Sequence, residues 1–174
     1  ILAESFREIA QQKPVDKITV KDIAENCGYS IATFYRQYRD KYDLIAWDYT
    51  RELERIMSQI GSHESAWQQT LHDAARYFSD QKEYLANLFL HTNGLDAFIG
   101  YMREINSSSL KNTVLRVSGL KTLDEQTEML IRLYVMGSVQ LTCEWILGRY
   151  HAEKEMLVAV YDQALPEPLR RFVC

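Results

Sequence analysis

Apolar residues recur along this chain at three- and four-residue spacing and almost nowhere in strict alternation, so the pattern predicts helices throughout. Leu2, Phe6, Ile9 and Ala10 mark a first helix, which Lys13-Pro14 ends. Thr19 stands three residues before Asp22 as a capping-box start; Val20, Ile23, Ala24 and Cys27 follow on one face, and Gly28 supplies a left-handed stop. Ser30 caps a short third helix in which Phe34 and Tyr38 point inward. Asp40 caps a longer fourth helix through about Ile60, with Gly61 after it. Ser65 with Gln68 predicts a helix to about Gln81, and a further one covers Tyr84 to His91. Thr92-Asn93-Gly94 reads as a turn, after which the pattern resumes at Asp96, loosens at Ser107-Ser108-Ser109 and runs on to Val117. Thr122 with Glu125 starts a helix continuing to Tyr150, and a last one covers Ala152 to Leu165.

Prolines occur only at positions 14, 166 and 168, so nothing between them forces a break by that route. The expected class is all-α: a three-helix N-terminal unit over residues 1–45, then a larger antiparallel helical bundle over residues 46–174. The helix from Thr122 to Tyr150 is apolar on most of its circumference, which requires cover on two sides. Gly137 inside it costs stability unless something approaches closely. Together these point to a homodimer interface on the helices near 122–150 and 152–165, with packing inside one chain as the simpler reading.

Composition narrows the function. The 174 residues are 47% hydrophobic and 25% charged with a net charge of -4, which is a folded, soluble composition and too acidic for a general nucleic-acid coat. No apolar run approaches the ~20 residues a membrane span needs. The chain begins at Ile1 with no charged-then-apolar leader, so no signal peptide is expected; a trimmed N-terminus is, and a basic arm before Ile1 would lie outside the sequence. Cys27, Cys143 and Cys174 form no CxxC or Cys/His cluster, which reads as reduced thiols in a cytoplasmic protein. His63, His72, His91 and His151 lack metal-binding spacing, so neither metal nor cofactor is expected. With no nucleophile elbow or phosphate-binding glycine loop either, the chain does not read as an enzyme.

Residues 23 to 38 describe two short helices joined by a Gly-containing turn, the pattern of a helix-turn-helix. If Phe34 and Tyr38 hold the second helix to the core, Thr33, Arg36 and Gln37 lie on the solvent side. Arg and Gln are side chains that read base edges bidentately in a major groove. Tyr35 lies at the flank within reach of a phosphate, and Lys17, Thr19, Lys21 and Lys41 place further donors around this surface. Residues 1 to 50 nevertheless hold 7 basic and 8 acidic side chains, so DNA affinity must come from local clustering.

Residues 23 to 45, ending Tyr35-Arg36-Gln37-Tyr38-Arg39-Asp40-Lys41-Tyr42-Asp43-Leu44-Ile45, resemble the N-terminal signature of TetR/AcrR-family transcriptional regulators. Tyr38 stands where Phe is commoner, and Tyr29 replaces a small aliphatic residue. The resemblance implies DNA contacts from Thr33, Tyr35, Arg36 and Gln37 on the recognition helix and phosphate contacts from Thr19 and Lys41; Lys21 and Ser30 complete the expected DNA-facing set. It also implies a homodimer on a palindromic double-stranded operator and a divergent effector domain, whose wall by analogy includes Trp67, His91, Tyr101 and Met102. The run Tyr77-Phe78, Tyr84-Leu85, Phe89, Phe98, Gly137 and Trp145-Ile146-Leu147-Gly148 is similar to the subgroup of dihydroxyacetone-kinase operon regulators of the DhaS type, some of which act with a partner protein. The effector is thus a small molecule or a protein. The alternative reading is a helical protein-interaction module or co-regulator with weak or no DNA binding of its own.

Overall fold

A computed structural model describes residues 1–63, 66–92, 95–149 and 151–174. Among them lie α1 (Leu2–Ala10), a 3-10 turn (Val15–Lys17), α2 (Val20–Asn26), α3 (Ile31–Tyr35), α4 (Lys41–Met57), α5 (Ala66–Asp80), α6 (Lys82–His91), α7 (Leu95–Ser118), α8 (Glu125–Ile146), α9 (Lys154–Ala164) and α10 (Glu167–Val173), and no strand. The all-α reading holds. The expected start at Ser65 and the Asn93-Gly94 turn lie outside the described residues. The helix expected to continue to Tyr150 stops at Ile146, because Gly148, at φ 69°, turns the chain: Gly148 N donates to Trp145 O at 3.1 Å and Arg149 N to Glu144 O at 2.9 Å, the bonds of a Schellman stop.

Local chemistry sets the first four helices. Thr19 Oγ1 accepts from Asp22 N, and Asp22 Oδ2 accepts from Thr19 N, a complete capping box. Gly28, at φ 73°, closes α2: Tyr29 N donates to Ala24 O at 2.8 Å and Gly28 N to Glu25 O at 3.1 Å, the paired bonds of a Schellman stop. Ser30 and Asp40 cap α3 and α4. The fourth helix ends at Met57, one turn earlier than expected, because turn-type bonds such as Ile60 N to Met57 O replace helical ones.

Three readings of the bundle need correction. The serines at 107–109 do not loosen α7, which runs unbroken for 24 residues; Met102, Leu110 and Val114 are buried on either side of them, and packing outweighs the modest helix propensity of serine. The cap of α8 is Asp124, not Thr122: its carboxylate takes both Thr127 N and Thr127 Oγ1 at 2.8 Å, a better match to a helix N-terminus than a hydroxyl. Finally, Pro166 and Pro168 do not end the helical region. They sit at the N-cap and first turn of α10, where no amide hydrogen is needed, and Leu169 and Val173 bury against α7 and α8.

Arg103 reaches Gln140 and Lys111 reaches Glu128, both at 2.5 Å, so the contacts run in opposite directions and α7 and α8 are antiparallel. The buried face of α8 is Ile131, Val135, Val139, Cys143 and Ile146. Trp145 is buried as well, and Leu130, Tyr134 and Leu141 are half-buried against the core, but a further set of apolar residues is open: Met129 is 64% exposed, Leu133 69% and Met136 48%, and on α9 Met156 is 60% exposed. A methyl built on Gly137 meets nothing within 4 Å. Packing within this chain therefore explains half of α8 and leaves the second apolar face, Gly137 included, uncovered.

Candidate nucleic-acid interface and regulatory cavity

The N-terminal unit is latched by polar side chains. Ser5 Oγ donates to Ile23 O at 2.8 Å, and Asn26 Nδ2 donates to Ser5 Oγ and Glu8 Oε2 at 3.0 Å, which fixes α2 on α1. Phe34, wholly buried, anchors α3 with Tyr38 tilted against it at 5.7 Å. That anchor turns Tyr35, Arg36 and Gln37 outward, where all three are exposed, while Thr33 is half-buried. Arg36 Nη2 donates to Thr33 Oγ1 at 3.1 Å and Thr33 Oγ1 lies 3.0 Å from Ser30 Oγ, so the outward residues form a short polar chain on an exposed face.

The same face holds three residues the sequence reading passed over. Tyr29, Ile31 and Ala32 are exposed at the start of α3. The signal was present in Ser30: once it is the N-cap, the next two residues are the helix start, and recognition helices contact bases with their N-terminal residues. Ile31 and Ala32 are apolar groups suited to thymine methyls.

The expected phosphate donors divide into two kinds. Thr19 and Lys21 are exposed, and Lys21 has only a loose partner, Glu25 at 3.7 Å. Thr19 Oγ1 accepts the capping bond from Asp22 N, and its hydroxyl faces the Asp22 carboxylate. Its capping partner Asp22 is held down to about 2, first by the hydrogen bond from Lys13 and then by Thr19. Lys41 is differently placed: its ammonium donates to Val15 O at 2.7 Å, Ile18 O at 2.8 Å and Asp16 O at 3.2 Å. Three carbonyls use its three protons, and partial burial pushes the amine below its ordinary value. In this arrangement Lys41 fastens the start of α4 to the 3-10 turn.

Two polar clusters are prominent among the connections that join this unit to the bundle. Asp48 on α4 is buried between Arg7 of α1 at 3.0 Å and Arg51 at 3.5 Å; burial pushes its carboxyl up, and the two guanidiniums only partly offset this. On α6, Asn87 Oδ1 accepts from Val15 N at 3.1 Å, while Nδ2 donates to Ala10 O at 2.6 Å and Lys13 O at 2.9 Å. One side chain thus completes the turn between α1 and α2.

Inside the bundle is a cavity of about 100 Å³ between α4, α5, α7, α8 and α9. Trp67, Thr70, Leu71, Ala74, Tyr77 and Phe78 contribute one continuous face of α5 to it. Of the four expected wall residues, Trp67 and Met102 line the cavity and Tyr101 and His91 do not. Tyr101 Oη donates to Ala46 O at 3.0 Å and lies 2.8 Å from Thr50 Oγ1, which ties α7 to α4. His91 is exposed at the end of α6, 3.8 Å from Asp16. Among the described residues no helix is long and apolar enough to cross a membrane, and no His, Cys, Asp and Glu cluster has the makings of a metal site.

The pattern described as bacterial regulatory proteins, tetR family, matches residues 1–46, and that described as transcriptional regulator C-terminal region matches residues 65–165, more than half of the chain. Over 98 residues the chain is 21% identical to the HTH-type dhaKLM operon transcriptional activator DhaS of Lactococcus lactis subsp. lactis (strain IL1403), covering 56% of this chain and 52% of that protein. The match thus spans about half the length of this curated relative. In three dimensions the fold resembles the dihydroxyacetone kinase operon activator DhaS, with a TM-score of 0.70 at 16% identity over 99% of this chain and 96% of that one. It also resembles a TetR transcriptional regulator from Rhodococcus sp. RHA1, with a TM-score of 0.58 at 16% identity over 94% and 91% of the two chains. An N-terminal helix-turn-helix and a C-terminal regulator bundle, each matched in sequence and joined in the same fold, place the chain in the tetR family of bacterial transcriptional regulators, to which it belongs as a relative of DhaS.

Proposed function

We propose that the chain works as a cytoplasmic homodimer that binds a palindromic operator through two copies of α3 and is released or engaged by an effector bound in the bundle. The observation that carries the DNA reading is the α3 face: Phe34 buried, with Tyr35, Arg36 and Gln37 turned out beside exposed Ile31 and Ala32. Within it Tyr29, Ser30, Thr33, Tyr35, Arg36 and Gln37 lie on or beside the groove-facing helix, Thr19 and Lys21 are the phosphate donors, and Lys41 is a positioning residue. The unit over residues 1–45 reads DNA, and residues 46–174 receive the effector and dimerise. This division falls inside α4, which makes that helix a mechanical link between the two.

The exposed stripe of Met129, Leu133 and Met136 on α8, continued by Met156 and Val160 on α9, supports the dimer. With Gly137 between them, two copies of α8 approach closely without a clash. The relative's name, an operon activator, supports control of an operon as the task. An effector acts by binding one spacing of the two DNA-reading units better than another.

Fluorescence anisotropy with the DNA upstream of the chain's own gene tests this. A dimer making several phosphate contacts loses affinity steeply with salt. Arg36→Ala costs about 1–3 kcal/mol at the operator and relaxes preference at one base position. Binding that ignores sequence or salt would refute the reading and leave a protein-interaction module in its place.

A further inference from the structure

The outward face of α3 has an apolar part and a polar part. Phe34 is wholly buried, and the residues opposite it at helical spacing are Ala32 and Arg36, with Ile31 and Tyr35 on one flank and Thr33 and Gln37 on the other. The hydroxyls of the first turn are engaged within the helix. Ser30 Oγ accepts from Thr33 N at 3.1 Å and lies 3.0 Å from Thr33 Oγ1, which in turn accepts from Arg36 Nη2 at 3.1 Å. What this turn leaves open is apolar: Ile31 is 43% exposed, Ala32 is exposed beside it, and neither packs on the hydrophobic core. Arg36 is the one cation between Ser30 and Tyr38, and its bond to Thr33 folds the guanidinium back one turn toward the start of the helix. That bond takes one N–H of the guanidinium and leaves the other donors of the fork to a ligand.

We propose that Ile31 is a specificity-determining residue that reads a thymine methyl, so that each operator half-site presents a thymine within about two base-pair steps of the guanine taken by Arg36. This rests on the reading of α3 as the helix that enters the operator's major groove. In that groove thymine alone presents a methyl group, while the rest of the base edges show amino donors and N7, O6 and O4 acceptors. An isoleucine set against an amino group or a carbonyl strips it of water and returns no bond. Set against the methyl, it removes apolar surface of both partners from water. Ala32, with a single Cβ at the centre of the face, lets the helix lie close enough to the base edges for this contact. The polar part of the face follows the opposite rule, since the Arg36 fork matches O6 and N7 of guanine. The separation of the two bases follows from the bond to Thr33, which holds the guanidinium within a turn of Ile31. One turn is about 5.4 Å along the axis and base pairs rise by about 3.4 Å, so methyl and guanine stand at most two steps apart.

The test selects bound duplexes from a randomised DNA pool with the full chain, then replaces each thymine of the enriched site in turn by deoxyuridine, which removes the methyl and nothing else. One thymine in each half-site is expected to cost about fourfold in affinity on replacement, what burying one methylene-sized group returns, as read by fluorescence anisotropy. At the same position 5-methylcytosine is expected to bind tighter than cytosine by a similar factor. In Ile31→Ala the deoxyuridine penalty is expected to fall below about twofold, and a side chain this exposed is removed without unfolding the chain. Placing 7-deazaguanine at the neighbouring guanine is expected to weaken the parent and to leave the affinity of Arg36→Ala as it was. Deoxyuridine tolerated at every thymine, a methyl penalty that persists in Ile31→Ala, or an Arg36-dependent guanine farther than two steps from the sensitive thymine overturns the proposal. A pool that yields no enriched sequence refutes the reading of the chain as an operator-binding regulator, whereas an enriched site with no methyl dependence refutes the role of Ile31 alone.

Discussion

Removing Asn87 tests how the DNA-reading unit is held to the bundle. Its amide makes three bonds to backbone groups of the 10–15 turn, at 2.6, 2.9 and 3.1 Å. Each contributes ~0.5–1.5 kcal/mol net, and water replaces part of that at a half-buried site, so Asn87→Ala is expected to cost about 2 kcal/mol. Asn87→Asp is nearly isosteric yet is expected to be worse by about 1–2 kcal/mol. One carboxylate oxygen still accepts from Val15 N, but the other replaces a donor that faced Ala10 O and Lys13 O, setting a negative charge against two carbonyls. Protonation restores one donor, so the substituted carboxyl has a raised folded-state pKa. Its penalty is full above that pKa and shrinks as pH falls through it. Urea unfolding at pH 7 and pH 5 reads both effects, and operator binding with and without effector reads the coupling, which either variant weakens. An aspartate variant as stable as the alanine variant, or a gap between them that widens in acid, would refute this account of the turn.

Leu133→Glu places a charge on the open face of α8; sedimentation equilibrium is expected to show monomer with the circular dichroism of the parent, because a side chain this exposed costs within about 0.5 kcal/mol to replace in the monomer. Lys41→Met is expected to lower the unfolding midpoint, by about 2 kcal/mol for a charged donor to three carbonyls, while leaving the salt slope of operator binding unchanged. Lys21→Ala is expected to do the reverse, reducing that slope by about 1 at unchanged stability. Asp22 has a depressed carboxyl, about 2 against an ordinary 3.8, so its contribution is complete above about pH 4 and is lost as pH falls toward 2. Asp22→Asn is expected to flatten the acid limb of thermal stability between those values, measured by calorimetry.

The helix-turn-helix was legible because its determinants act over a few residues. Thr19 with Asp22, Gly28 with the carbonyls of Ala24 and Glu25, and Ser30 with Thr33 N complete their bonds inside the motif that contains them. The cavity was half legible. Trp67 and Met102 line it, but an inventory of aromatic and imidazole groups does not say which side of a helix faces inward, and Tyr101 and His91 turned to other partners. Asn87 was invisible: an asparagine within a helix carries no local signal, and its partners lie 72 to 77 residues away.

The sequence by itself determined the caps of α2, α3 and α4, the Gly28 stop and the all-helical class, since these depend on hydrogen bonds within a few residues and on a 3.6-residue period. Only the tertiary structure decided that α7 passes unbroken through three serines, that Lys41 spends its charge on the 3-10 turn, and that one apolar face of α8 is covered while the other stays open. The reason is the same each time. A residue's chemistry states what it is able to bind, and the packing of distant elements states which of those partners is within reach.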